Sequence, residues 1–145
     1  MSQPVVRQAT PDDLKTINGL LESAALPTSG VADHLRNFLV AEDEGSIIGA
    51  IGLEVYGETG LLRSAVVAPR MQGNGIGSLL YTDNLKQARR LGIRRLILLT
   101  NTNEQFFAEK GFRKIDQKAV SGPVTTSVEF SGVCPAHAAC MELIL

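Results

Sequence analysis

The chain reads Val66-Val67-Ala68-Pro69-Arg70-Met71-Gln72-Gly73-Asn74-Gly75-Ile76-Gly77-Ser78 at the point where an apolar, strand-like segment gives way to an amphipathic, helix-like one. Glycines at alternate positions leave backbone N–H groups uncovered, and the helix that follows has the positive end of its dipole there. Such groups at a helix start are typical of phosphate-binding sites. The stretch therefore predicts a site for a phosphorylated ligand.

The spacing of these glycines excludes two common nucleotide-binding loops. No Gly-Lys-Ser/Thr sequence follows, as a P-loop requires, and the third glycine comes one residue too early for the dinucleotide pattern G-x-G-x-x-G. The acidic residue expected about 20 residues further on, where a ribose is bound, is also absent. The remaining alternative is that the glycines only permit a tight bend between strand and helix.

Around the loop, the sequence predicts strands and helices of one α/β domain that spans residues 1–145. Apolar segments bounded by turns predict strands at 4–9, 47–55, 61–68, 94–99, 112–115 and 138–145. Helical spacing predicts helices after Thr10-Pro11, around residues 34–38, from the glycine loop to about residue 91, at 103–110 and at 123–130. The strands at 47–55 and 61–68 form a hairpin at the centre of the sheet.

Composition and charge exclude several classes of protein. The 145 residues carry 14 Lys and Arg against 15 Asp and Glu, a formal net charge of −1, so nothing favours a nucleic-acid partner. A chain of this length buries about two thirds of its unfolded surface and needs no disulfide or structural metal. No apolar run approaches the ~20 residues that span a bilayer. We expect a cytoplasmic protein that binds neither nucleic acid nor membrane.

The order of these motifs resembles the GCN5-related N-acetyltransferase (GNAT) family over about residues 47–116. The block Gln72–Gly77 looks like the family's pyrophosphate loop for acetyl-CoA, and Phe106–Phe112 looks like its second conserved block. The resemblance implies a GNAT fold, which is a mixed, mostly antiparallel sheet with helices on both faces. Its central strands separate to admit acetyl-CoA.

The resemblance also implies how acetyl-CoA, the co-substrate, is bound without a metal ion. The backbone near Val67 polarises the thioester carbonyl as an oxyanion donor, which makes Val67 a catalytic candidate. The residues implied to bind the cofactor are Ala65, Val66, Val67, Gln72, Gly73, Asn74, Gly75, Ile76, Gly77, Ser78, Thr102 and Phe107. Many GNAT members have a tyrosine at the position of Phe107, which protonates the leaving thiolate. Without it, the thiolate leaves unprotonated or receives a proton from water, Tyr56 or Thr102.

Glu54 is the candidate general base for deprotonating the acceptor amine. Strand alternation places it in a small, apolar row together with Tyr56, where a partly desolvated carboxylate is a better base. The alternative is a structural ion pair with Arg63 on the neighbouring strand. Glu58 is a weaker candidate because it lies at the end of the hairpin.

The predicted acceptor is a small, amino-acid-like amine that receives the acetyl group by direct transfer. Arg63 is expected to share a face with Ala65 and Val67 and to hold a carboxylate or oxyanion of the acceptor, with Glu54 and Tyr56 beside it. The segment from Gly122-Pro123 to Cys134-Pro135 is similar to a GNAT subgroup found with arsenic-resistance genes, and more distantly to N-acetylglutamate synthases. This similarity implies an amino-acid or organoarsenical acceptor, and homodimers are common in the family.

Two other functions stay open from the sequence. A catalytically weak CoA-binding sensor would fit Phe107 and the absence of an unambiguous base. A thiol-based domain that binds a metal or arsenic would use Cys134, His137 and Cys140, which have the spacing C-x-x-H-x-x-C. Structural zinc takes four ligands and only His34 remains, so a buried cysteine on a strand is the simpler interpretation.

Overall fold

The computed structural model describes residues 3–130 and 138–145. The strands are β1 (Val5–Gln8), β2 (Phe38–Asp43), β3 (Ser46–Tyr56), β4 (Thr59–Val67), β5 (Arg95–Thr100), β6 (Arg113–Ile115) and β7 (Ala139–Ile144). The α-helices are α1 (Leu14–Ser23), α2 (Ile76–Arg90) and α3 (Glu104–Glu109). Short 3-10 turns cover Pro11–Asp13, Ala32–Asn37, Pro69–Met71, Gln117–Ala119 and Pro123–Thr126. The six predicted strands and the helices that correspond to α1, α2 and α3 occur in the predicted order, and β2 is a seventh strand that the sequence did not predict.

The strands form a mixed, mostly antiparallel sheet in the order β1-β2-β3-β4-β5-β7-β6. The pairs β1–β2, β2–β3, β5–β7 and β6–β7 are antiparallel, whereas β4 and β5 are parallel neighbours joined by a crossover through α2. Parallel neighbours need such a crossover because a short turn only reverses the chain. The predicted central position of β3 and β4 is confirmed.

The parallel ladder between β4 and β5 is short. It contains three residue pairs, Thr59–Leu61 with Arg95–Ile97, although β4 has nine residues and β5 has six. On its other side, β5 pairs along its whole length with Ala139–Ile144. Residues 98–100 of β5 therefore lie beyond its described ladder with β4.

The chain divides into two compact units. Unit 1 comprises residues 1–53 and 64–87, and unit 2 comprises residues 54–63 and 88–145. Strands β3 and β4 contribute residues to both units. Within the part of the chain that the structure describes, no helix is long and apolar enough to cross a membrane.

In unit 1, helices pack on both faces of β3. Ala50 belongs to a buried cluster that includes Ile17 and Leu21 of α1. Its neighbour Gly49 points the other way, because successive residues of a strand alternate between faces. A Cβ on Gly49 would lie 3.0 Å from a methyl carbon of Leu80 in α2, so the absence of a side chain lets the helix approach closely. The predicted placement of helices on both faces is confirmed here.

The chain enters α1 through a 3-10 turn at Pro11–Asp13, directly after the predicted helix start at Thr10-Pro11. The Asp13 carboxylate accepts hydrogen bonds from the Thr10 backbone N–H at 2.7 Å and from Arg7 at 2.8 and 3.0 Å. The hydrogen bond from Arg7 is the main cause that lowers the Asp13 pKa to about 2. This nearly buried carboxylate therefore joins the helix start to strand β1.

Unit 2 has its own apolar core beside β5. The buried cluster consists of Leu61, Ile97, Val120, Val124 and Cys140, and Tyr56 packs against it. Residues from the loop after β6 thus cover the inner strands of this unit.

Two local predictions are wrong. Residues 123–130 do not form an α-helix: Pro123–Thr126 makes a 3-10 turn, in which the hydroxyls of Thr125 and Thr126 bond the carbonyls three residues earlier, and residues 129–130 are π-helical. Phe38 begins β2 instead of continuing the preceding helical turn. Helix α2 ends at Arg90, within one residue of the predicted end, and the chain then turns at a glycine with a positive φ.

Candidate active site

The loop between β4 and α2 has the backbone form that the glycines predict. Gly73 and Gly75 adopt φ values of +84° and +78°, which residues with a side chain rarely adopt. Gln72 Nε2 donates to the carbonyl of Val67 at 3.1 Å, and Asn74 Nδ2 donates to the carbonyl of Met71 at 3.0 Å. Two polar side chains of the loop thus donate hydrogen bonds to backbone carbonyls, one at the end of β4 and one within the loop.

The start of α2 directs backbone N–H groups out of the loop. The N–H of Leu79 donates to the carbonyl of Gly75 at 3.0 Å, which is the first helical bond of this end. The N–H groups of Ile76 and Gly77 precede that bond, and groups in this position have no acceptor within the helix. Together with the positive end of the helix dipole, they form a cradle suited to phosphate oxygens.

The middle of β4 departs from regular strand geometry. Ser64 has a φ of +60°, which is uncommon for a residue other than glycine and interrupts the alternation of faces. The expectation that Arg63 shares a face with Ala65 and Val67 rested on strict alternation, which does not continue through Ser64. Val66 is buried, whereas Ala65 and Val67 are half-buried.

In unit 2, Glu54 and Arg63 form the ion pair expected as the structural alternative. Arg63 Nη1 lies 2.8 Å from Glu54 Oε2, and both side chains are 0% exposed. The Tyr56 hydroxyl donates to the other carboxylate oxygen, Glu54 Oε1. The structure therefore brings together the three residues predicted to handle the acceptor, with the carboxylate held from two sides.

Ser127 is a member of this cluster that sequence reasoning missed. Burial and the hydrogen bond to Glu54 raise the pKa of Tyr56 to about 12, and a hydrogen bond with Ser127 acts in the opposite direction. The Ser127 hydroxyl accepts from the backbone N–H of Glu129 at 3.2 Å, and the side chain is buried. The only signal in the sequence was that Ser127 lies in the segment 123–130, for which a helix was predicted.

The remaining predicted residues of unit 2 lie near α3 and before it. Phe107 is 4% exposed and packs edge-to-face on Phe106 and Phe112, with ring centroids 5.1 and 5.5 Å apart. Phe107 therefore contributes an apolar ring to the core of this unit. Thr102 is exposed in the turn before α3. In unit 1, His34 lies half-buried in the 3-10 turn before β2.

The predicted thiol site is only partly described. Cys134 and His137 lie outside the described residues. Cys140 is a buried free cysteine of β7, and burial raises the pKa of its thiol to about 11. A protonated thiol is a poor metal ligand. Among residues 3–130 and 138–145, no group of three or more His, Cys, Asp or Glu side chains could hold a metal ion.

Comparison with known proteins shows what the chain is related to. The model of the acetyltransferase (GNAT) family matches residues 9–112. A Mycobacterium tuberculosis protein named amino-acid acetyltransferase is 33% identical over 145 residues, which cover 93% of this chain and 80% of that protein. An amino-acid acetyltransferase of Ralstonia nicotianae is 34% identical over 116 residues, which cover 74% of this chain and 26% of that longer protein.

The chain is also similar in fold to solved structures. The structure of Rv2747 from Mycobacterium tuberculosis in complex with CoA and NLQ has a TM-score of 0.83 and 28% identity, and covers 98% of this chain and 99% of that one. The predictions of a GNAT fold, of N-acetyltransferase activity and of acetyl-CoA as co-substrate are confirmed by the family match and these likenesses. The chain belongs to the acetyltransferase (GNAT) family.

Proposed function

We propose that this acetyltransferase moves the acetyl group of acetyl-CoA directly to the amine of a small, amino-acid-like acceptor. The observation that carries the proposal is the 33% identity, over 93% of the chain, to a protein named amino-acid acetyltransferase. In the reaction, the amine nitrogen attacks the thioester carbonyl carbon, the C–S bond breaks, and CoA leaves as the thiolate. The acceptor ammonium must lose one proton before its lone pair can attack.

The donor end is assigned to unit 1. The N–H groups from Gly73 to Ser78 hold the pyrophosphate of acetyl-CoA, with the side chains of Gln72 and Asn74 fixing the loop around them. The backbone of Ala65–Val67 pairs with the amides of the pantetheine arm, and the Val67 region polarises the thioester carbonyl. Thr102 and Phe107 of unit 2 stay proposed cofactor contacts.

The acceptor end is assigned to the Glu54 cluster of unit 2. Glu54 is the proposed base, and Tyr56 and Arg63 are the proposed neighbours of the acceptor. The complete burial of the Arg63 side chain and its ion pair with Glu54 favour a positioning role for the arginine over direct contact with an acceptor carboxylate.

Two measurements on the purified protein test the proposed reaction. Isothermal titration with acetyl-CoA measures binding of the donor. Release of the CoA thiol is then followed with a panel of free amino acids, an amino-acid-like arsenical and, as a control, N-acetylated amino acids whose nitrogen is already blocked. Release that depends on a free amine supports the proposal, and release at the same rate with blocked amines contradicts it.

Substitution of Gly75 tests the phosphate cradle. Gly75→Ala strains a backbone at φ +78°, displaces the N–H groups of the loop, and should weaken acetyl-CoA binding at least tenfold. Gly45→Ala is the matched control, because Gly45 has a φ of +80° in the turn between β2 and β3 and should lose stability without losing affinity. Equal affinities of the two variants would contradict the assigned cradle.

A second candidate function is supported by Phe107. A phenylalanine has no hydroxyl with which to protonate the thiolate, so a CoA-binding module without turnover also fits this position. Binding of acetyl-CoA without thiol release from any amine in the panel would favour this second function.

The finer predictions from the sequence have separate tests. Thiol release with the arsenical measures whether an organoarsenical is an acceptor. Light scattering of the purified protein measures whether it forms a homodimer. Fractionation of the source cell measures whether it is cytoplasmic.

A further inference from the structure

Glu54 is too enclosed to take a proton from an acceptor by direct contact. Its side chain is 0% exposed, Arg63 occupies Oε2 at 2.8 Å, and the Tyr56 hydroxyl occupies Oε1. A general base must come within hydrogen-bond reach of the proton that it removes, about 2.6 to 3.2 Å between heavy atoms. If Glu54 is the base, a neighbouring group must carry the proton to it.

Tyr56 is suited to carry that proton. It is half-buried, whereas Glu54, Arg63 and Ser127 are all buried, so Tyr56 is the member of this cluster with substantial accessible surface. Its hydroxyl donates to Glu54, and a hydrogen bond with Ser127 lowers the pKa of the same phenol. A phenol oxygen can donate one hydrogen bond and also accept, which a relay between two groups requires.

Ser127 is itself fixed in place. Its hydroxyl oxygen accepts from the backbone N–H of Glu129 at 3.2 Å, so its own proton is directed elsewhere. Its backbone N–H donates to the carbonyl of Val124 at 3.1 Å. An ordered chain of donors thus runs from the Glu129 N–H through Ser127 and Tyr56 to Glu54.

We propose that Tyr56 relays the proton of the acceptor ammonium to Glu54, and that Ser127 is the positioning residue that holds the phenol for this transfer. The ammonium N–H proton moves to Tyr56 Oη while the phenol proton moves to Glu54 Oε1. The phenol ends neutral, Glu54 becomes a carboxylic acid, and the nitrogen keeps the electron pair that attacks the thioester. Glu54 then returns its proton by the same path to solvent. This inference rests on the proposed function.

The electrostatics of the cluster agree with a relay. A phenol whose pKa is about 12 keeps its proton at neutral pH and therefore donates it to Glu54. Arg63 on the far oxygen keeps the carboxylate oriented toward Tyr56. Tyr56 therefore serves as a conductor of the proton and Glu54 as its acceptor.

The pH dependence of Tyr56→Phe tests the relay. At a pH below the pKa of the acceptor amine, kcat/KM for the acceptor should fall about 100-fold, the size of effect typical of general base catalysis. As the pH rises above that pKa, more of the amine is already neutral and the loss should shrink to a few-fold. The affinity for acetyl-CoA, measured by titration, should stay unchanged.

Tyr81→Phe is the matched control, since Tyr81 of α2 is the other tyrosine in the chain. It should keep kcat/KM within about twofold, and thermal unfolding of both variants confirms that they are folded. Ser127→Ala should lower kcat/KM with the same pH dependence as Tyr56→Phe but less strongly, and Ser127→Thr should restore it because threonine keeps the hydroxyl.

An absorbance titration measures the pKa of the Tyr56 phenol and does not require turnover. The chain has no tryptophan and two tyrosines, so the tyrosinate absorbance of a Tyr81→Phe protein reports on Tyr56 alone. Adding Ser127→Ala should raise the pKa of this phenol, because the hydrogen bond that lowers it is lost. An unchanged titration would refute the role of Ser127.

The possible failures can be distinguished. Wild-type protein without amine-dependent thiol release refutes the proposed function, and the relay with it. Wild-type turnover that Tyr56→Phe leaves intact, or lowers by one constant factor at every pH, refutes the relay alone.

Discussion

Breaking the Glu54–Arg63 ion pair should strongly destabilise the protein. Arg63→Met keeps an apolar stem of similar length but leaves the Glu54 carboxylate without its cation. Both side chains are 0% exposed and the pair is 2.8 Å apart, so water cannot replace the lost partner. Loss of one partner from a buried pair costs about 3–5 kcal/mol. For a chain of this size, the melting temperature should fall by roughly 10 °C.

An exposed pair in the same unit is the matched control. Arg94 and Glu58 are 4.0 Å apart and their side chains are 76% and 73% exposed. Arg94→Met should change the free energy of unfolding by less than about 1 kcal/mol, because exposed pairs are screened by water. The double variant Glu54→Leu/Arg63→Met should be more stable than Arg63→Met, because no charge is then buried alone.

Urea denaturation followed by circular dichroism measures these free energies, with the slope of the transition checked for a common unfolded state. The reasoning is refuted if Arg63→Met costs no more than Arg94→Met. It is also refuted if the double variant is less stable than Arg63→Met, since removal of the buried Glu54 charge would then not restore stability.

Three further results are expected. Asp13→Asn should lower the free energy of unfolding by about 2 kcal/mol near pH 6, because the charged Asp13 carboxylate stabilises the fold and has a lowered pKa. The difference from wild type should vanish as the pH falls from about 4 to 2, where this carboxylate becomes protonated. Denaturant titrations at several pH values measure this difference. Gly52→Ala should cost about 1–3 kcal/mol in urea denaturation, because its Cβ would lie 2.3 Å from the buried Phe38 ring. In a Cys134→Ala protein, Cys140 should react with a disulfide reagent far more slowly when folded than in denaturant, since it is 2% exposed and its pKa is about 11.

The features that sequence predicts well are those that depend on neighbouring residues. The loop at residues 72–78 follows from glycines that permit positive φ, and the helical start at residue 11 follows from Thr10-Pro11. Alternation placed Glu54 and Tyr56 on one face of β3, and proximity of the strands suggested the ion pair with Arg63. Each of these inferences needs only local geometry.

The features that sequence did not predict depend on packing from distant parts of the chain. Nothing in the residue type of Ser64 indicates a positive φ, because serine does not favour that conformation. The bond between Tyr56 and Ser127 joins segments far apart in the chain, so no periodicity reveals it. The 3-10 turn at Pro123–Thr126 replaced the predicted helix because hydroxyls compete for backbone carbonyls.

The position of β7 has a consequence for folding during synthesis. β7 lies between β5 and β6, with six pairs to the former and three to the latter, yet it is the last of the seven strands to be translated. The two strands that it joins therefore emerge from the ribosome without their common neighbour. Until residues 139–144 are available, both have unsatisfied edges, which is a state in which nascent chains aggregate or recruit chaperones.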